Sequence, residues 1–410
     1  MIERPPSVAL LSTYYENVGD DLIRHGVQQQ LAAVLGLEPR WRHVSKSNLL
    51  SVSWPLSHWT HAPLSRMPAR QRRLTSTVSR WLRGARFLPD KIRGADAFAV
   101  AGTPLFYFVG DHSFIDVEAE HGANWPAAIL AERIEPQRGP PMLALGIGSI
   151  YEGAPAELLA RHPAAASFIR RFVERAALVT TRDAATDALL RTASPAQDER
   201  IVRSICPSFW AQERFGIQAE AKPRRVLVSF TLESADWDLS APRETVVAGR
   251  LRALDWVLAY FRERRYDIAL IAHNAYDLEP PTKIAHAWGL PAAAAVDARG
   301  LLEATAAAEA VVTWRVHGAL AAVAAGRPAL LFRTDSRWGT AAEFGAGVLD
   351  DRCLSRPELV GALDRLCAQD APQLAAARAT ADARRSRELE RLRIPLLKAL
   401  GRSAAEPVSV

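Results

Sequence analysis

Short apolar runs alternate with amphipathic segments along the first half of the chain. The runs are rich in Val, Leu, Ile and Ala and predict buried strands at 7–13, 95–101, 141–147, 177–181 and 201–205. Segments with apolar residues three or four positions apart predict helices at 21–35, 125–133, 164–175 and 184–191. This alternation is typical of an α/β domain with a parallel sheet.

The second half of the chain repeats the alternation. Strands are predicted at 225–232, 266–272, 310–314 and 328–333, and helices at about 243–264, 280–288, 300–308, 317–325 and 373–400. Residues 211–223 show no clear periodicity, so the domain boundary is placed there. We expect an N-terminal domain at 1–222, a C-terminal domain at 223–372 and a helix with a tail at 373–410. The fold class that this favours is α/β, with two Rossmann-like, doubly wound domains that face a cleft.

One segment interrupts the alternation. Residues 41–93 are rich in Trp and Arg and carry almost no acidic side chains, and a helix is predicted within them at 70–87. We interpret 41–93 as an insertion that acts as a lid or acceptor element. A basic patch at 40–93 on an anionic membrane face is the alternative interpretation.

The stretch from Ala310 to Pro328 carries the clearest candidate chemistry. Arg315 stands at the end of a predicted buried strand, and His317 lies in the first turn of the helix that follows. In an open parallel sheet this junction lies beside ligands, next to the positive end of the helix dipole. Arginine there can hold a carboxylate or phosphate with two hydrogen bonds, and histidine can move a proton near neutral pH. The pattern predicts a site for an anionic substrate, with Gly318 beside it.

Further glycine and polar residues follow the other predicted strands, and we expect them to bind substrate. They are Asn17, Gly19, Asp20, Gly102, Thr103, Gly146, Gly148, Arg182, His273 and Asn274. Purely structural roles remain possible for several of them. The turn at 17–20 is also typical of a helix cap, Gly146 and Gly148 of a tight turn, and Arg182 with Asp183 of a structural ion pair.

Composition and charge narrow the function classes. The 410 residues are 49% apolar and 23% charged, which is a globular composition and more than one ordinary core. A formal net charge of +6 suits anionic partners. No recognised nucleic-acid module accompanies this charge, so nucleic-acid binding is not expected. Cys206, Cys353 and Cys367 are scattered and predict neither a disulfide framework nor a zinc site.

Several other classes are disfavoured by missing motifs. The sequence contains no Walker A motif, no HExxH and no GxSxG. The pair Asp236 and Asp238 is best interpreted as a surface turn, so no metal is expected. The stretch Leu145-Gly-Ile-Gly-Ser-Ile150 is not a full GxGxxG, so no cofactor is expected either. Without a long apolar run or a signal peptide, a cytoplasmic location is expected, with peripheral contact at the inner membrane face as an option.

Taken in order, the motifs resemble the polysaccharide pyruvyl transferase family. The matching segments are Asn17-Val-Gly-Asp20, Ala144-Leu-Gly-Ile-Gly148, Thr181-Arg-Asp183, Cys206-Pro-Ser-Phe209, Trp314-Arg-Val-His-Gly318 and Ala325-Gly-Arg-Pro328. The family's Arg-Leu-His triplet corresponds to Arg315-Val316-His317. The resemblance implies a fold like that of the GT-B glycosyltransferases and no obligatory metal.

The resemblance also implies an activity. It predicts transfer of pyruvate from phosphoenolpyruvate onto sugar hydroxyls of a cell-surface polysaccharide or its precursor, as a ketal. The partners would be phosphoenolpyruvate and a saccharide acceptor, with lipid linkage of the acceptor left open. From these residues and this resemblance together, Arg315 and Arg182 are the expected clamps for the substrate anion, and His317 is the expected general acid and base.

Two other functions remain open at this point. The strand, helix and glycine pattern of 310–328 also suits the donor pocket of a GT-B-type glycosyltransferase that uses a sugar nucleotide. A non-catalytic protein that binds an anionic glycan or membrane through 40–93 is the second alternative.

Overall fold

A computed structural model shows how the chain folds. It describes residues 4–12, 17–45, 92, 94–102, 104–109, 112–114, 139–217, 221–232, 242–273, 278–333, 337–352, 354–369 and 371–402. The helices predicted at 70–87 and 125–133 lie outside these residues, as does the predicted insertion except for 41–45 and residue 92.

The chain forms two compact units, each made from separated stretches. The first unit comprises Met1–Tyr14, Gln30–Ile205 and Glu390–Val410, and the second comprises Tyr15–Gln29 and Cys206–Leu389. The sequence pattern, by contrast, divides the chain into consecutive segments. Periodicity reports on neighbouring residues only, so it does not reveal an early or late segment that packs with a distant part of the chain.

The first unit is built on a mainly parallel sheet. Its main run of strands has the order β2-β1-β3-β6-β7-β8, with β4 paired to the end of β6 and β5 antiparallel to β4. The strands are β1 Ser7–Ser12, β2 Arg40–Ser45, β3 Ala97–Ala101, β4 Pro104–Val109, β5 His112–Ser113, β6 Met142–Ile150, β7 Ala176–Thr181 and β8 Ile201–Arg203. Every residue of β1, β3 and β6 is buried, which explains their continuous apolar runs.

One strand corrects the sequence interpretation. Residues 41–45 were assigned to the insertion, but they form most of β2, which pairs in parallel with β1 along its whole length. The strand reads Arg-Trp-Arg-His-Val-Ser, and only Val44 among its described side chains is buried. An edge strand with polar side chains lacks the apolar run that would reveal it.

Aromatic side chains fill the core of the first unit. Helix α1 spans Val18–Leu35, and helices α2 Pro155–Arg161, α3 Pro163–Arg175 and α4 Ala184–Ala193 follow in the first unit. Phe172 of α3 meets Phe106 of β4 edge to face, at 5.6 Å between ring centroids. Such aromatic pairs add to the free energy gained by burying apolar area.

Helix α1 belongs to both units. Its first turns, up to Gln29, are part of the second unit, where Gly26 packs against the backbone of residue 207. A side chain at position 26 would place a Cβ only 1.7 Å from the Pro207 carbonyl oxygen.

The second unit has a fully parallel sheet with the strand order of a Rossmann fold. Its strands are arranged β11-β10-β9-β12-β13-β14. They are β9 Arg225–Ser229, β10 Asp267–Ala272, β11 Ala294–Ala295, β12 Ala310–Thr313, β13 Ala329–Phe332 and β14 Gly347–Leu349. The chain runs outward from β9 on one side and from β12 on the other, so the strand order reverses between β9 and β12. Ligands bind at the carboxyl ends of the strands where such a reversal occurs.

Helices lie before, between and after these strands. They are α5 Ala211–Phe215, α6 Arg243–Glu263, α7 Glu279–Ala287, α8 Ala298–Ala306, α9 Val316–Ala324, α10 Trp338–Ala342, α11 Arg356–Cys367 and α12 Ala371–Ala399. Most predicted helices of this half are confirmed to within two residues at each end. The sequence interpretation missed α11, although Ser355 and Glu358 form a capping box at its start.

Candidate functional site

Three neighbouring strand ends bring His273, Thr231 and Arg315 to the same level of the second sheet. The strand registers place Ile271, Ser229 and Thr313 side by side. His273, Thr231 and Arg315 each lie two residues further along the chain, just past the ends of these strands. This level lies at the reversal of strand order, where the sequence pattern predicted the anion site.

Arg315 is held at this position by its own backbone and by its side chain. Its amide N–H donates to the Thr313 hydroxyl at 2.9 Å, and that hydroxyl lies 3.1 Å from the Arg315 carbonyl oxygen. Its guanidinium donates from Nη2 to the Thr231 hydroxyl at 3.2 Å. Arg315 also immediately precedes α9, and its carbonyl oxygen accepts from Gly318 N–H at 2.9 Å. The guanidinium is therefore fixed beside the positive end of α9.

The glycine after His317 has a steric reason. A Cβ at Gly318 would stand 2.6 Å from the hydroxyl oxygen of Thr313 and 3.5 Å from Nε2 of His273. The first distance is shorter than real Cβ contacts allow, so a side chain would displace the hydroxyl that holds Arg315. Gly318 thus lets α9 begin directly above the strand ends.

His317 is buried in the first turn of α9, with 8% of its surface exposed. Its ring lies against Gly19 in the first turn of α1, where a Cβ would stand 2.2 Å from Nδ1. Both residues belong to the second unit. The structure therefore brings together two motifs that are almost 300 residues apart in the sequence.

Asn17 caps helix α1. Its side-chain oxygen accepts from Gly19 N–H at 2.9 Å, and its carbonyl oxygen accepts from Asp20 N–H at 3.0 Å and Asp21 N–H at 3.1 Å. Asp21 pairs with Arg24 at 2.6 Å. Of the two interpretations of this turn, the cap is what these contacts show directly.

His273 is an uncharged, buried histidine. Only 2% of its surface is exposed, and burial, with the Arg315 guanidinium as the smaller cause, lowers the pKa of His273 to about 3. Its Nε2 has no hydrogen-bond partner among the described residues and lies next to the first turn of α9. Buried polar atoms are normally paired, so this atom indicates a place for a ligand or water.

A buried ion pair supports the residue before Arg315, and the sequence interpretation missed it. Trp314 donates from Nε1 to Asp351 at 2.9 Å, and Asp351 also lies 3.7 Å from Nε of Arg250. The indole is stacked on Phe332 at 4.1 Å between centroids. Asp351 follows β14 in a polar turn, and no local pattern distinguishes it from a surface residue.

In the first unit, Arg182 lies over a glycine at the carboxyl end of the sheet. It is only 3% exposed, and it donates from Nη1 to the carbonyl oxygen of Gly102 at 3.3 Å. A Cβ at Gly148 would stand 2.4 Å from Nε and Nη2 of Arg182. The structure thus brings Arg182, Gly102 and Gly148 together in one packed cluster.

Gly146 and Asp183 shape the same end of the first sheet. Gly146 has a φ of 66°, which favours glycine, and its N–H donates to the hydroxyl of Thr180 at 2.8 Å. Asp183 caps α4 by accepting from Thr186 N–H at 2.7 Å, while its second oxygen lies 3.8 Å from Nε of Arg182. Gly146 lies within β6, where the pairing with β7 is irregular between Ala144 and Ile147, so its left-handed φ belongs to a distorted strand and not to a tight turn.

A buried tyrosine lies beside this cluster. Tyr151 donates to the carbonyl oxygen of Ala185 at 2.7 Å. Burial first and the Asp183 carboxylate second raise the pKa of Tyr151 to about 12. The phenol is protonated at neutral pH and donates a hydrogen bond here.

Two predicted site residues, Thr103 and Asn274, lie outside the described residues, as does the Asp236 and Asp238 pair. Within the described parts of the chain, no group of three or more His, Cys, Asp or Glu residues could hold a metal ion.

Comparison of the sequence with protein-family models gives a match to polysaccharide pyruvyl transferase over residues 17–336. The match spans most of the chain and includes every predicted site residue. The chain belongs to the polysaccharide pyruvyl transferase family. The resemblance noted in the motifs is confirmed, and the protein is a transferase.

Solved structures with a similar fold include glycosyltransferases. A trehalose-6-phosphate synthase has a TM-score of 0.54 at 11% identity, covering 97% of this chain and 99% of that one. The glycotransferase of kitacinnamycin has a TM-score of 0.53 at 14% identity, covering 97% and 100%. MnaA of S. aureus, solved with UDP, has a TM-score of 0.52 at 11% identity, covering 98% and 99%. At these identities the likeness concerns the fold alone, and it confirms the expected GT-B-like α/β class with two domains.

A search of the curated proteins finds no significant match in sequence. The family assignment therefore depends on the family model and agrees with the motifs at Asn17, Arg182 and Arg315. In the described residues, no helix has the length and apolar character that crossing a bilayer requires.

Proposed function

We propose that this family member transfers the pyruvyl group of phosphoenolpyruvate to two hydroxyls of a saccharide, forming a ketal and releasing phosphate. Membership of the family supports a pyruvate donor and a saccharide acceptor. The observation that carries the finer proposal is the geometry of the second unit, where Arg315 directly precedes α9 and His317 lies in its first turn, at the reversal of strand order.

Phosphoenolpyruvate is a small anion with a carboxylate and a phosphate, and the second unit offers groups suited to it. Arg315 supplies a permanent positive charge, and α9 supplies the positive end of a nine-residue helix. His273 is uncharged and can add a hydrogen bond without adding a proton. Donors that are already oriented stabilise developing negative charge more than mobile water does. In this proposal Arg315 binds the carboxylate or phosphate, and His273 and Gly318 line the donor site.

His317 is proposed as the general acid and base. In its protonated form it gives a proton to the methylene carbon of phosphoenolpyruvate, and the neighbouring carbon becomes an oxocarbenium-like centre. An acceptor hydroxyl oxygen bonds to that carbon and returns a proton to His317. The bond from this carbon to the phosphate oxygen then breaks, and the second acceptor hydroxyl bonds to the carbon and gives its proton to the departing phosphate. A positioned acid and base typically accelerates such steps by about 10² to 10⁴.

The first-unit cluster is proposed to bind substrate through Arg182. Its guanidinium already bonds to Gly102 and lies on Gly148, so it is rigid. Gly146, Thr103 and Asn274 remain proposed substrate contacts, and so do Asn17 and Asp20. We propose that no metal or organic cofactor takes part, since Arg315 and α9 supply positive charge for the anion.

The partners and location of the enzyme belong to the same proposal. We propose an acceptor that is a cell-surface polysaccharide or its precursor, in the cytoplasm. Binding of 40–93 to an anionic membrane face would suit a lipid-linked acceptor. Salt-sensitive pelleting with anionic liposomes, compared with neutral liposomes, tests that contact.

The test of the activity is release of inorganic phosphate from phosphoenolpyruvate across a panel of saccharide acceptors, with mass spectrometry of the products. A gain of about 70 Da marks a pyruvyl ketal, because pyruvate is added and water is lost. We expect Arg315→Ala mainly to raise KM for phosphoenolpyruvate and His317→Ala mainly to lower kcat by about 10² or more. Arg299→Ala changes an exposed arginine of α8 and is the matched control.

Two outcomes would count against the proposal. Normal turnover by His317→Ala would remove its role as acid and base. Transfer of sugar from a sugar nucleotide, with no consumption of phosphoenolpyruvate, would favour the glycosyltransferase alternative. The solved structure of S. aureus MnaA with UDP makes UDP-sugars the first nucleotide donors to include.

A further inference from the structure

Gly19 and the ring of His317 belong to two distant motifs of the second unit and lie in close contact. A Cβ at position 19 would meet Nδ1 at 2.2 Å, Cγ at 2.9 Å and Cε1 at 3.0 Å. All three of these nearest atoms belong to the imidazole. Any side chain at position 19 would therefore occupy space that the ring now fills.

Backbone conformation does not explain a glycine at this position. Gly19 is the second residue of α1 and has no left-handed φ, unlike Gly36 just after the same helix. A glycine inside a helix costs roughly 0.5–1 kcal/mol relative to alanine. The reason for it is the space that the imidazole takes.

The amide groups of this turn are used within the turn. The N–H groups of Gly19, Asp20 and Asp21 are all bonded to Asn17, through its side chain or its carbonyl oxygen. These are donors that an anion bound at the start of α1 would need. Their use by Asn17 favours a role of the turn in holding protein groups in place.

We infer that the turn from Asn17 to Asp20 is the seat of the His317 imidazole and that Gly19 is a positioning residue. The cap formed by Asn17 fixes the start of α1, and the bare backbone of Gly19 receives the Nδ1 edge of the ring. Nε2, on the opposite edge, is then the nitrogen presented for proton transfer. The mechanistic part of this inference rests on the proposed function of His317, whereas the seat itself does not.

The first test is a double-mutant cycle on stability, which needs no substrate. Gly19→Ala, His317→Ala and the double variant are compared with the wild type by urea unfolding. We expect Gly19→Ala to shift the unfolding midpoint downward. In the His317→Ala background, where the ring is gone, we expect the same change to leave the midpoint unchanged or to raise it, because alanine is favoured over glycine within a helix. An equal shift in both backgrounds would overturn the seat, since the added methyl group would then clash with something else.

Gly339→Ala is the matched control. Gly339 is the second residue of α10, and a Cβ there would meet nothing within 4 Å. We expect this variant to keep the turnover of the wild type and to be at least as stable, because alanine is favoured over glycine within a helix. A helical glycine that is replaced without a clash thereby separates the effect of the ring from the general effect of adding a methyl group.

The second test is the split between kcat and KM in the phosphate-release assay. Displacing a reacting group by about 1 Å can cost on the order of 10²-fold. We expect Gly19→Ala to lose kcat on that scale while KM for phosphoenolpyruvate stays within about twofold, because Arg315 is untouched. Unchanged kcat in Gly19→Ala would overturn the positioning role.

The two proposals fail in distinguishable ways. If the wild type consumes no phosphoenolpyruvate but the stability cycle shows coupling between positions 19 and 317, the proposed function fails and the seat stands. If the wild type turns over and the cycle shows no coupling, the seat fails and the proposed function stands.

Discussion

The carboxylate of Asp351 is predicted to be one of the most costly side chains to remove from the second unit. It is 2% exposed, and it accepts a hydrogen bond from Trp314 and pairs with Arg250, which is fully buried. Asp351→Ala leaves the Arg250 guanidinium in the core without this carboxylate. Removing one partner of a buried pair typically costs about 3–5 kcal/mol.

The magnitude can be placed against total stability. Domains are stabilised by about 5–15 kcal/mol, so a loss of about 3–5 kcal/mol is at least about a fifth of the total. It corresponds to a fall of about 10² to 10³ or more in the ratio of folded to unfolded protein. Asp351→Asn keeps an acceptor for the Trp314 indole and loses the charge, so its cost should lie between those of the wild type and Asp351→Ala.

Urea unfolding followed by tryptophan fluorescence measures this difference. The matched control is Glu303→Ala, which breaks the exposed pair of Glu303 with Arg299, where N and O are 3.2 Å apart. Exposed pairs at this helical spacing contribute only about 0.3–0.5 kcal/mol. If Asp351→Ala costs no more than Glu303→Ala, the buried pair does not support the strand end that carries Arg315, and this reasoning is wrong.

Three further predictions follow from the other contacts. The pKa of His273 is about 3 in the folded protein and near 6.5 in the unfolded chain. Between these values only the unfolded chain binds the proton, so the free energy of unfolding falls by about 1.4 kcal/mol for each unit by which the pH drops below 6.5. Urea unfolding at pH 7, 6 and 5 should show this loss in the wild type and not in His273→Gln. If the free energy of unfolding changes with pH equally in both proteins, the prediction is wrong. Asp183→Ala should cost about 1 kcal/mol by removing the cap of α4, whereas Asp183→Asn should stay within about half of that loss, as urea unfolding can measure. Dialysis against a chelator should leave phosphate release from phosphoenolpyruvate unchanged, and a loss that added metal restores would refute the proposal of a metal-free reaction.

Much of the second unit could be predicted from the sequence because its signals are local. Each buried strand from β9 to β13 except the short β11 is an apolar run, and the polar residue that follows it lies at the carboxyl end of a parallel sheet. The level shared by His273 and Arg315 follows from that regularity. The weaker signals were those of edge strands such as β2, whose side chains are mostly polar.

The contacts that complete the site could not be predicted in this way. Asp351 reaches Trp314 across the sheet, and Gly19 reaches His317 from the other end of the chain. Neither pair has a spacing or periodicity that would mark it, because tertiary packing alone brings the partners together. The motif at Asn17 to Asp20 is visible in the sequence, but nothing local in it indicates that Gly19 lies against the His317 ring.

Because α1 is divided between two units, its first turns can be buried only after a much later part of the chain has been made. A ribosome releases the first turns of α1 long before it has made the segment from Pro207 to Phe215, on which Gly26 and His25 pack. A fragment that stops at residue 205 would expose those turns to solvent, so expression of the two halves as separate polypeptides should yield soluble material only when both are present together.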